Sequence, residues 1–402
     1  MISNFKEILS TNARSLKRSA IRELLKLTND PEIISFAGGL PAPETFPVTE
    51  LKDVVREVLN DDAEKALQYG ATEGDTRLRE LIVENYRDKN FDIGIDNVLV
   101  TTASQQALDL LAKIFIDRGD KVIVGLPSYL GGISAFNAYG ADLVGIEHDE
   151  YGLSAKKLEE TLVKMEADGE MPKFIYVIPE FQNPAGVTMP EERRKDILRI
   201  AKKYDLLIVE DSPYKELRFE GEHQTSFYAL DNTGQVITLG TFSKIFVPGF
   251  RIGWVIAHEE IVDKVVMAKQ STDLCTSPFV QKIAAKYIDK GYYQENLKKT
   301  IQNYKEKKDV MMKAFDENMP DCVNWTRPEG GLFLFLRLPE YMDSEVLFKE
   351  ALKEKVAFVI GTVFHCDGSG KNTMRINFSY ASKEQIKIGV KRLATAIKNM
   401  IQ

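Results

Sequence analysis

Between residues 97 and 257, short apolar runs alternate with longer amphipathic ones. The apolar runs predict strands, and they are NVLVTT, KVIVGL, ADLVGIE, KFIYVIP, DLLIVED, QVITLGT and RIGWVIA. Segments with apolar positions at helical spacing lie between them, as in SQQALDLLAKIFI and EERRKDILRIAKKYD. Near-continuous apolar strands joined by amphipathic helices are typical of a mainly parallel sheet with helices on both faces. In such α/β sheets, functional groups collect at the carboxyl ends of the strands.

The pattern changes after residue 290. Residues 291–319 predict one long helix, whose lysines are assigned to its solvated face. The runs GGLFLFLRL, VAFVIG and MRINFSY predict strands, with DSEVLFKEALKEK as a helix among them. We therefore expect a large domain at 41–290 and a smaller α/β domain at 291–402. At 1–40 we expect an arm with the amphipathic helix SLKRSAIRELLKL, packed with the small domain at the active-site entrance.

Composition excludes several classes of protein. The 402 residues include 44% hydrophobic and 28% charged residues, which are ordinary values for a globular chain. A net charge of −7 argues against nucleic acid or an anionic membrane as a partner. There is no signal-peptide core at the N-terminus and no apolar run of membrane-spanning length. The three cysteines lie far apart, which is typical of a reducing compartment, so a cytoplasmic enzyme is expected.

Several familiar motifs fail on their spacing. HEEIV has Val262 where a zinc protease needs a second histidine, and four scattered histidines offer no metal-ligand spacing. DGSGKNT resembles a phosphate loop, but Asn372 follows its lysine and His365 occupies the earlier glycine position. We therefore interpret that segment as the turn into MRINFSY. No G-x-S-x-G elbow is present, so a serine hydrolase has little support.

Polar residues at predicted strand ends form a more informative set. Lys244 follows VITLGT, and Asp211 ends LLIVE. Asn183 follows the strand FIYVIP, and Tyr129 follows VIVGLPS. Each could separately be a cap or a turn residue. Together they meet the needs of pyridoxal phosphate, because Lys244 offers an amine for its aldehyde and Asp211 a carboxylate for its ring nitrogen. Tyr129 could stack on the ring, while Asn183 and Tyr214 could donate to its phenolic oxygen.

The phosphate of that cofactor needs amides, hydroxyls and a cation. Ser104 and Gln105 begin a predicted helix, whose N-terminal amides favour anions. Thr241 and Ser243 flank the lysine, and Arg251 supplies the positive charge. Ser243 could instead be only a helix cap.

A set of motifs along the chain resembles those of a known family. The motifs are ISFAGGLPAPETFP, LQYGATEGDTRLRE, TTASQQALDLLAK, PEFQNPAGVTM, VEDSPYKELRF, GTFSKIFVPGFRIGW, RPEGGLFLFL and NTMRINFSY. In this order, from about residue 33 to 380, they are similar to the class I/II aminotransferases of fold type I. Within that family, the motifs are most similar to those of the 2-aminoadipate and kynurenine/aminoadipate aminotransferases. The resemblance implies an α/β fold with a mainly parallel mixed sheet in the large, pyridoxal-phosphate-binding domain.

The resemblance also implies a role for each candidate residue. Lys244 would link covalently to the cofactor and act as the base, Asp211 would pair with the ring nitrogen, and Tyr129 would stack on the ring. The other cofactor contacts implied are Ser104, Gln105, Asn183, Tyr214, Thr241, Ser243 and Arg251, with Tyr69 reaching the cofactor of a second subunit. The substrate contacts implied are Gly39, Asn183, Arg375 and Arg22, with Arg375 gripping the α-carboxylate. Ser212 departs from the family pattern, in which many relatives have a second acid.

The implied reaction is transamination between an L-amino acid and a 2-oxo acid in a homodimer with shared active sites. The expected donors are of 2-aminoadipate, aromatic or branched-chain type, and the expected acceptor is 2-oxoglutarate. Two other functions stay open: a DNA-binding regulator with an aminotransferase-like domain, and β-elimination or decarboxylation on the same fold. Three residues keep an alternative as well. Arg375 could be a solvated strand residue, Tyr69 could pack in a turn, and Arg14 or Arg18 could replace Arg22.

Overall fold

The computed structural model describes residues 5–16, 30–87 and 92–401. The described helices are α1 Phe5–Ile8, α2 Thr11–Ser15, α3 Val48–Asp61, α4 Ala63–Leu67, α5 Thr76–Arg87, α6 Ala103–Phe115, α7 Leu130–Ala138, α8 Ala155–Asp168, α9 Glu191–Lys203, α10 Phe227–Leu230, α11 Glu259–Gln270, α12 Pro278–Asp289, α13 Tyr292–Asn318, α14 Ser344–Lys353 and α15 Lys383–Ile401. The described strands are β1 Ile34–Ser35, β2 Val98–Thr102, β3 Lys121–Leu126, β4 Asp142–Asp149, β5 Gly152–Leu153, β6 Phe174–Val177, β7 Leu207–Asp211, β8 Val236–Thr241, β9 Ile252–Ile256, β10 Asn324–Trp325, β11 Phe333–Arg337, β12 Val356–Ala357, β13 Val359–Ile360 and β14 Thr373–Asn377. Within this part of the chain, no helix has the length and apolarity needed to cross a bilayer.

The apolar runs predicted as strands form one sheet in the order β2-β9-β8-β7-β6-β3-β4-β5. Strands β8, β7, β6, β3 and β4 are parallel neighbours. Strand β9 runs antiparallel to both of its neighbours, and β5 runs antiparallel to β4. The sheet is therefore mixed but mainly parallel, as the pattern predicted. Strand β9 is antiparallel to both β2 and β8, so β2 points in the same direction as β7 and β8. The carboxyl ends of β2, β7 and β8 therefore lie at one edge of the sheet.

Both faces of this sheet are covered, which explains why its strands are apolar throughout. Side chains of successive residues alternate between two buried clusters. On β6, for example, Phe174 and Tyr176 join the cluster that includes α6 and α11, whereas Ile175 and Val177 join the cluster that includes α8 and α9. The prediction of helices on both faces is confirmed.

The runs GGLFLFLRL and MRINFSY form β11 and β14 of a second sheet, in the order β10-β11-β14-β13, with antiparallel pairs. The run VAFVIG, predicted as one strand, is divided into β12 and β13, and only β13 joins this sheet. Helices α13 and α15 contribute apolar residues to the core beside this sheet. Near the start of the chain, β1 pairs with β12 of this region, with Ile34 opposite Val356. These contacts agree with the expected small C-terminal α/β unit, while its limits at 291–402 stay a prediction.

The prediction that the lysines of 291–319 form a solvated face is wrong for two of them. Lys307 is 3% exposed and Lys308 is 5% exposed. Lys307 Nζ donates to the Ser379 carbonyl at 2.8 Å and pairs with Glu44, and Lys308 pairs with Glu220. A second set of elements covers this side of α13, and helical periodicity within one segment contains no information about such neighbours.

Candidate active site

A cavity of about 220 Å³ opens where β2, β7 and β8 end. It is lined by twelve of the residues that the sequence predicted for the site: Gly39, Ser104, Gln105, Tyr129, Asn183, Asp211, Tyr214, Thr241, Ser243, Lys244, Arg251 and Arg375. Ala103, Ile178, Pro213 and Phe333 complete the lining, and no role was predicted for them. Phe333 lies in the quoted motif GGLFLFL, so the family pattern located it without indicating its contact with the site.

Lys244 ends a short 3-10 turn, Phe242–Lys244, directly after β8. Its Nζ donates to the carbonyl of Gly39 at 2.9 Å. Burial, and then the nearby charges of Arg375 and Arg251, lower the pKa of the Lys244 amine to about 8. An amine with this pKa is partly neutral near pH 7, which is the form that a nucleophile or a proton acceptor requires.

Asp211 is the last residue of β7 and is 1% exposed. Tyr176 Oη donates to its Oδ2 at 2.7 Å. Among the described residues, none forms a hydrogen bond with the other oxygen, Oδ1. Burial raises the pKa of this carboxyl to about 6, against the opposing effect of the Tyr176 hydrogen bond. A buried carboxylate oxygen without a donor fits a protonated ring nitrogen placed in the cavity.

Amides and hydroxyls converge at the other end of the cavity. Helix α6 starts at Ala103, directly after β2, so the first amides of this helix reach the lining. A Cβ on Gly253 would lie 2.7 Å from Ser104 N, so only glycine lets β9 pass this close to the helix start. Thr241 Oγ1 bonds the carbonyl of Ile252 at 2.8 Å and accepts the Ser243 N–H at 3.1 Å.

Arg251 lies beside these hydroxyls. Its backbone has a φ of 54°, in the left-handed region, and its Nη1 is 3.5 Å from Ser243 Oγ. The predicted alternative for Ser243, a helix cap, belongs instead to Thr241, whose side chain caps the 3-10 turn. A helix N-terminus, two hydroxyls and a guanidinium together fit the dianionic phosphate of the cofactor.

Arg375 lies on β14 and is 2% exposed, so its alternative as a solvated strand residue is wrong. Its Nη1 donates to Asn183 Oδ1 at 2.9 Å, and its Nη2 donates to the Ala37 carbonyl at 2.7 Å. The guanidinium carbon is 4.3 Å from the ring centre of Phe333 and 5.1 Å from that of Phe364. Burial lowers its pKa to about 10.

The guanidinium of Arg375 keeps unused donors. Within the described part of the chain, its Nε has no hydrogen-bond partner and no carboxylate forms an ion pair with it. A buried cation without an anion is costly unless a ligand supplies the missing charge. Two of the unused N–H groups of Arg375, which are on Nε, Nη1 and Nη2, can together hold a carboxylate in a two-pronged contact.

The remaining predicted residues surround the space between these groups. Tyr129 Oη lies 3.4 Å from Gln105 Oε1, and a Cβ on Gly131 would overlap the Tyr129 ring at 2.4 Å. Asn183 Nδ2 donates to Tyr214 Oη at 3.4 Å. Burial raises the pKa of the Tyr214 hydroxyl, which therefore stays protonated. The cavity is therefore lined by the aromatic ring of Tyr129 and by two hydrogen-bond donors, Asn183 and Tyr214.

One predicted residue, Tyr69, does not line this cavity. Tyr69 is 80% exposed and belongs to a separate open hollow with Gly70 and Pro278, so it does not pack in a turn as the alternative required. Arg22 and its alternative Arg18 lie outside the described residues. The other alternative, Arg14, donates to the carbonyl of Glu7.

The family described as aminotransferase class I and II matches residues 32–393. This chain belongs to the class I and II aminotransferases. It is 48% identical to aromatic-amino-acid aminotransferase 1 of Thermococcus litoralis, over 98% of this chain and 95% of that one. The solved structure of kynurenine aminotransferase from Pyrococcus horikoshii, in complex with PMP, is 44% identical. The superposition covers 100% of this chain and 99% of the Pyrococcus chain, with a TM-score of 0.96.

The α-aminoadipate aminotransferase of Thermus thermophilus, solved with N-(5′-phosphopyridoxyl)-L-leucine, is similar as well. It is 39% identical, with a TM-score of 0.92 and coverage of 99% of each chain. The aminotransferase therefore has fold type I and uses pyridoxal phosphate, as its motifs predicted. Transamination is favoured over the β-elimination, decarboxylation and regulator alternatives.

Proposed function

We propose that this aminotransferase moves the amino group from 2-aminoadipate, aromatic or branched-chain L-amino acids to 2-oxoglutarate. The cationic side chains among the described lining residues are Lys244, Arg251 and Arg375. Lys244 and Arg251 are assigned to the cofactor, whereas Arg375 is buried and keeps an Nε without a partner among the described residues, so it is the group suited to bind substrate. Every amino acid and 2-oxo acid has an α-carboxylate, which Arg375 can bind regardless of side chain. The buried guanidinium of Arg375, which has no anionic partner among the described residues, carries the proposal.

The proposed roles follow the geometry. When bound, pyridoxal phosphate supplies an electron-withdrawing ring that stabilises negative charge on the substrate α-carbon. Asp211 Oδ1 would keep a proton on the ring nitrogen, and Tyr129 would cover the ring. Asn183 and Tyr214 would donate to the phenolic oxygen. The phosphate would be held by the start of α6 together with Gln105, Thr241, Ser243 and Arg251.

Lys244 would hold the cofactor covalently between turnovers. Its neutral Nζ would also serve as the base that takes a proton from the substrate α-carbon and holds it for return. Its lowered pKa of about 8 supports this role, since a lysine at its usual pKa would be protonated. Arg375 would orient the α-carbon by fixing the carboxylate, which keeps the transferred proton within reach of Nζ.

Substrate range decides whether this function is right. Purified protein would be assayed with 2-oxoglutarate and with 2-aminoadipate, leucine, phenylalanine, tyrosine, alanine and lysine as donors, measuring the 2-oxo acid and glutamate formed. We expect acidic and large apolar donors to be used well, with stoichiometric glutamate. Turnover with glyoxylate or pyruvate but none with 2-oxoglutarate would contradict the proposed acceptor. Exclusive use of alanine would contradict the proposed donors.

The two donor types differ at the far end of the side chain. A fixed cation there would bind an acid but reject an apolar group, because an unpaired buried charge is costly. We propose that Arg22, in the arm at 1–40, supplies a movable cation instead, with Arg14 and Arg18 as alternatives. The Thermus relative supports this idea, since an enzyme named for α-aminoadipate was crystallised with a leucine derivative.

The donor panel tests Arg22 directly. Arg22→Ala should lower kcat/KM for 2-aminoadipate by roughly 1.5–3 kcal/mol, the strength of a hydrogen bond to a charged group. The value for leucine should change little. The same measurement on Arg14→Ala and Arg18→Ala tests the two alternatives within the same arm. Equal losses on acidic and apolar donors would show that Arg22 supports the fold rather than the side chain.

We further propose a homodimer in which Tyr69 contacts the cofactor of the second subunit. The 80% exposure of this large ring within one chain supports a contact with another chain. Neither Lys244→Ala nor Tyr69→Ala homodimers should be fully active, whereas a hybrid dimer would contain one site with both defects and one with neither. Mixing the two variants and allowing subunit exchange should therefore restore activity. No gain after confirmed exchange would argue against shared sites.

The domain division at 1–40, 41–290 and 291–402 and a cytoplasmic location are proposed on the same sequence grounds. The pairing of Ile34 with Val356 supports an arm that packs against the small domain. Three cysteines without disulfides support a reducing compartment.

A further inference from the structure

Tyr176 lies outside the cavity lining but reaches its key carboxylate. It belongs to β6, and Asp211 ends the neighbouring strand β7. Tyr176 Oη donates to Asp211 Oδ2 at 2.7 Å, while Oδ1 has no partner within the described part of the chain. The side chain hydrogen bond is thus confined to one of the two oxygens.

The ring of Tyr176 has little freedom to move. It is buried and meets Phe136 edge to face, with centroids 5.4 Å apart. On another side, a Cβ on Gly132 would lie 3.0 Å from the Tyr176 ring, so that glycine makes room for it. A donor on a ring held this tightly keeps both its distance and its direction to the carboxylate.

We propose that Tyr176 is a positioning residue that turns the Asp211 carboxylate so that Oδ1 faces the ring nitrogen of the cofactor. The inference rests on the proposed role of Asp211. A carboxylate with one oxygen held by a strong donor cannot rotate freely about its Cβ–Cγ bond. Its remaining lone pairs are then available for one partner in one direction.

The hydroxyl also acts on the charge of Asp211. A donated hydrogen bond stabilises the ionised carboxylate against the cost of burial. Burial and the charge of Asp211 raise the pKa of the Tyr176 hydroxyl far above neutral, so it remains a donor at working pH. Without this donor, Asp211 would lose orientation and would bind its own proton more readily, which removes the attraction for a protonated ring nitrogen.

Tyr176→Phe tests the inference because it keeps the ring packing and removes only the hydroxyl. The measurement is the apparent dissociation constant of the cofactor, obtained by adding it back to cofactor-free protein. Two compounds are compared: pyridoxal phosphate and its carbocyclic analogue, in which C–H replaces the ring nitrogen. We expect Tyr176→Phe to bind pyridoxal phosphate about tenfold more weakly than wild type. Both proteins should bind the analogue equally, since it offers Asp211 no N–H.

The control is Tyr139→Phe, which removes another tyrosine–aspartate hydrogen bond, from Tyr139 Oη to Asp109 at 3.4 Å. It should bind both compounds as wild type does. Equal weakening of both compounds in Tyr176→Phe would show a merely structural role and overturn the inference. Unchanged binding of pyridoxal phosphate would overturn it too. If wild type itself failed to discriminate between the compounds, the proposed role of Asp211 would fail first, which separates the two ideas.

Steady-state kinetics give a second readout. Because Tyr176 does not line the cavity, Tyr176→Phe should lower kcat and leave the KM of the amino acid nearly unchanged. A rise in KM with kcat unchanged would instead indicate a disturbed substrate pocket and contradict the proposal.

Discussion

Replacing Arg375 by lysine should separate the charge of this residue from its shape. The guanidinium uses one N–H of Nη1 on Asn183 and one of Nη2 on Ala37. This leaves three of the five N–H groups, one each on Nε, Nη1 and Nη2, and two of them can hold a carboxylate. Lysine keeps the charge but has a single nitrogen, and it cannot reproduce the planar contacts with Phe333 and Phe364.

The expected magnitude follows from these contacts. A hydrogen bond to a charged group contributes about 1.5–3 kcal/mol, so a two-pronged grip contributes about 3–6 kcal/mol. Arg375→Ala removes the whole grip, which corresponds to roughly 10²–10⁴-fold in the rate constant. Arg375→Lys retains one charged donor and should lose about half of that free energy, or about 10–100-fold.

The assay should follow one half-reaction, because the 2-oxo acid is also expected to bind Arg375 through its α-carboxylate. Cofactor-loaded protein is mixed with an amino donor, and the change in absorption of the bound cofactor gives the second-order rate constant. The same experiment uses an amine of equal length without a carboxylate. We expect the variant to be impaired only with the amino acid. Arg337→Lys, an exposed arginine on the adjacent strand β11, is the control.

Equal slowing of both substrates by Arg375→Lys would contradict a carboxylate-binding role for Arg375. Such a result would mean that the residue supports the cavity rather than the carboxylate. A loss smaller than threefold with the amino acid would show that the unpaired edge of Arg375 does not bind substrate.

Three further outcomes are expected. Asp211→Asn should lower kcat by several powers of ten, as measured by steady-state turnover, with a much smaller change in cofactor occupancy; near wild-type turnover would exclude its role. Burial lowers the pKa of Lys244 to about 8 from 10.5, so the folded state binds this proton less well than the unfolded state. Lys244→Met should therefore raise the free energy of unfolding of the cofactor-free protein at pH 7, and the gain should shrink as pH rises from 8 to 10.5. In urea unfolding, a gain independent of pH would contradict this cause. Ser212→Asp should destabilise the fold by about 2–4 kcal/mol, because Ser212 Oγ lies 3.3 Å from the buried carboxylate of Glu180. Adding Glu180→Gln should reduce the charge repulsion, and failure to recover any stability would point to steric strain instead.

The departure at Ser212 illustrates how sequence and structure differ in what they explain. From the sequence alone, it was a missing acid beside Asp211 with little consequence. In the fold, Ser212 donates to Glu180, which pairs with Arg194 at 2.7 Å. A second acid here would add a charge to an ion pair that is already balanced. The serine is therefore suited to its buried neighbour, which lies 32 residues away along the chain.

The amino-acid sequence by itself determined the main strands of the large sheet, several of the helices and twelve of the sixteen residues that line the cavity. Apolar runs and helical spacing are local properties of the chain, and the carboxyl ends of parallel strands lie at the same edge of a sheet. Lys244, Asp211 and Asn183 were therefore predictable from their positions after strands, and family motifs added Arg375. The role of each in catalysis stays a prediction until it is tested.

Only the tertiary structure decided what surrounds those residues. The bond from Tyr176 to Asp211, the stacking of Arg375 on Phe333 and the burial of Lys307 all join elements that are distant along the chain. No periodicity within one segment contains such information, because it depends on which faces meet after folding. The pKa shifts of Lys244 and Asp211 arise from the same cause, since burial by other elements, rather than neighbours in sequence, sets the cost of their charges.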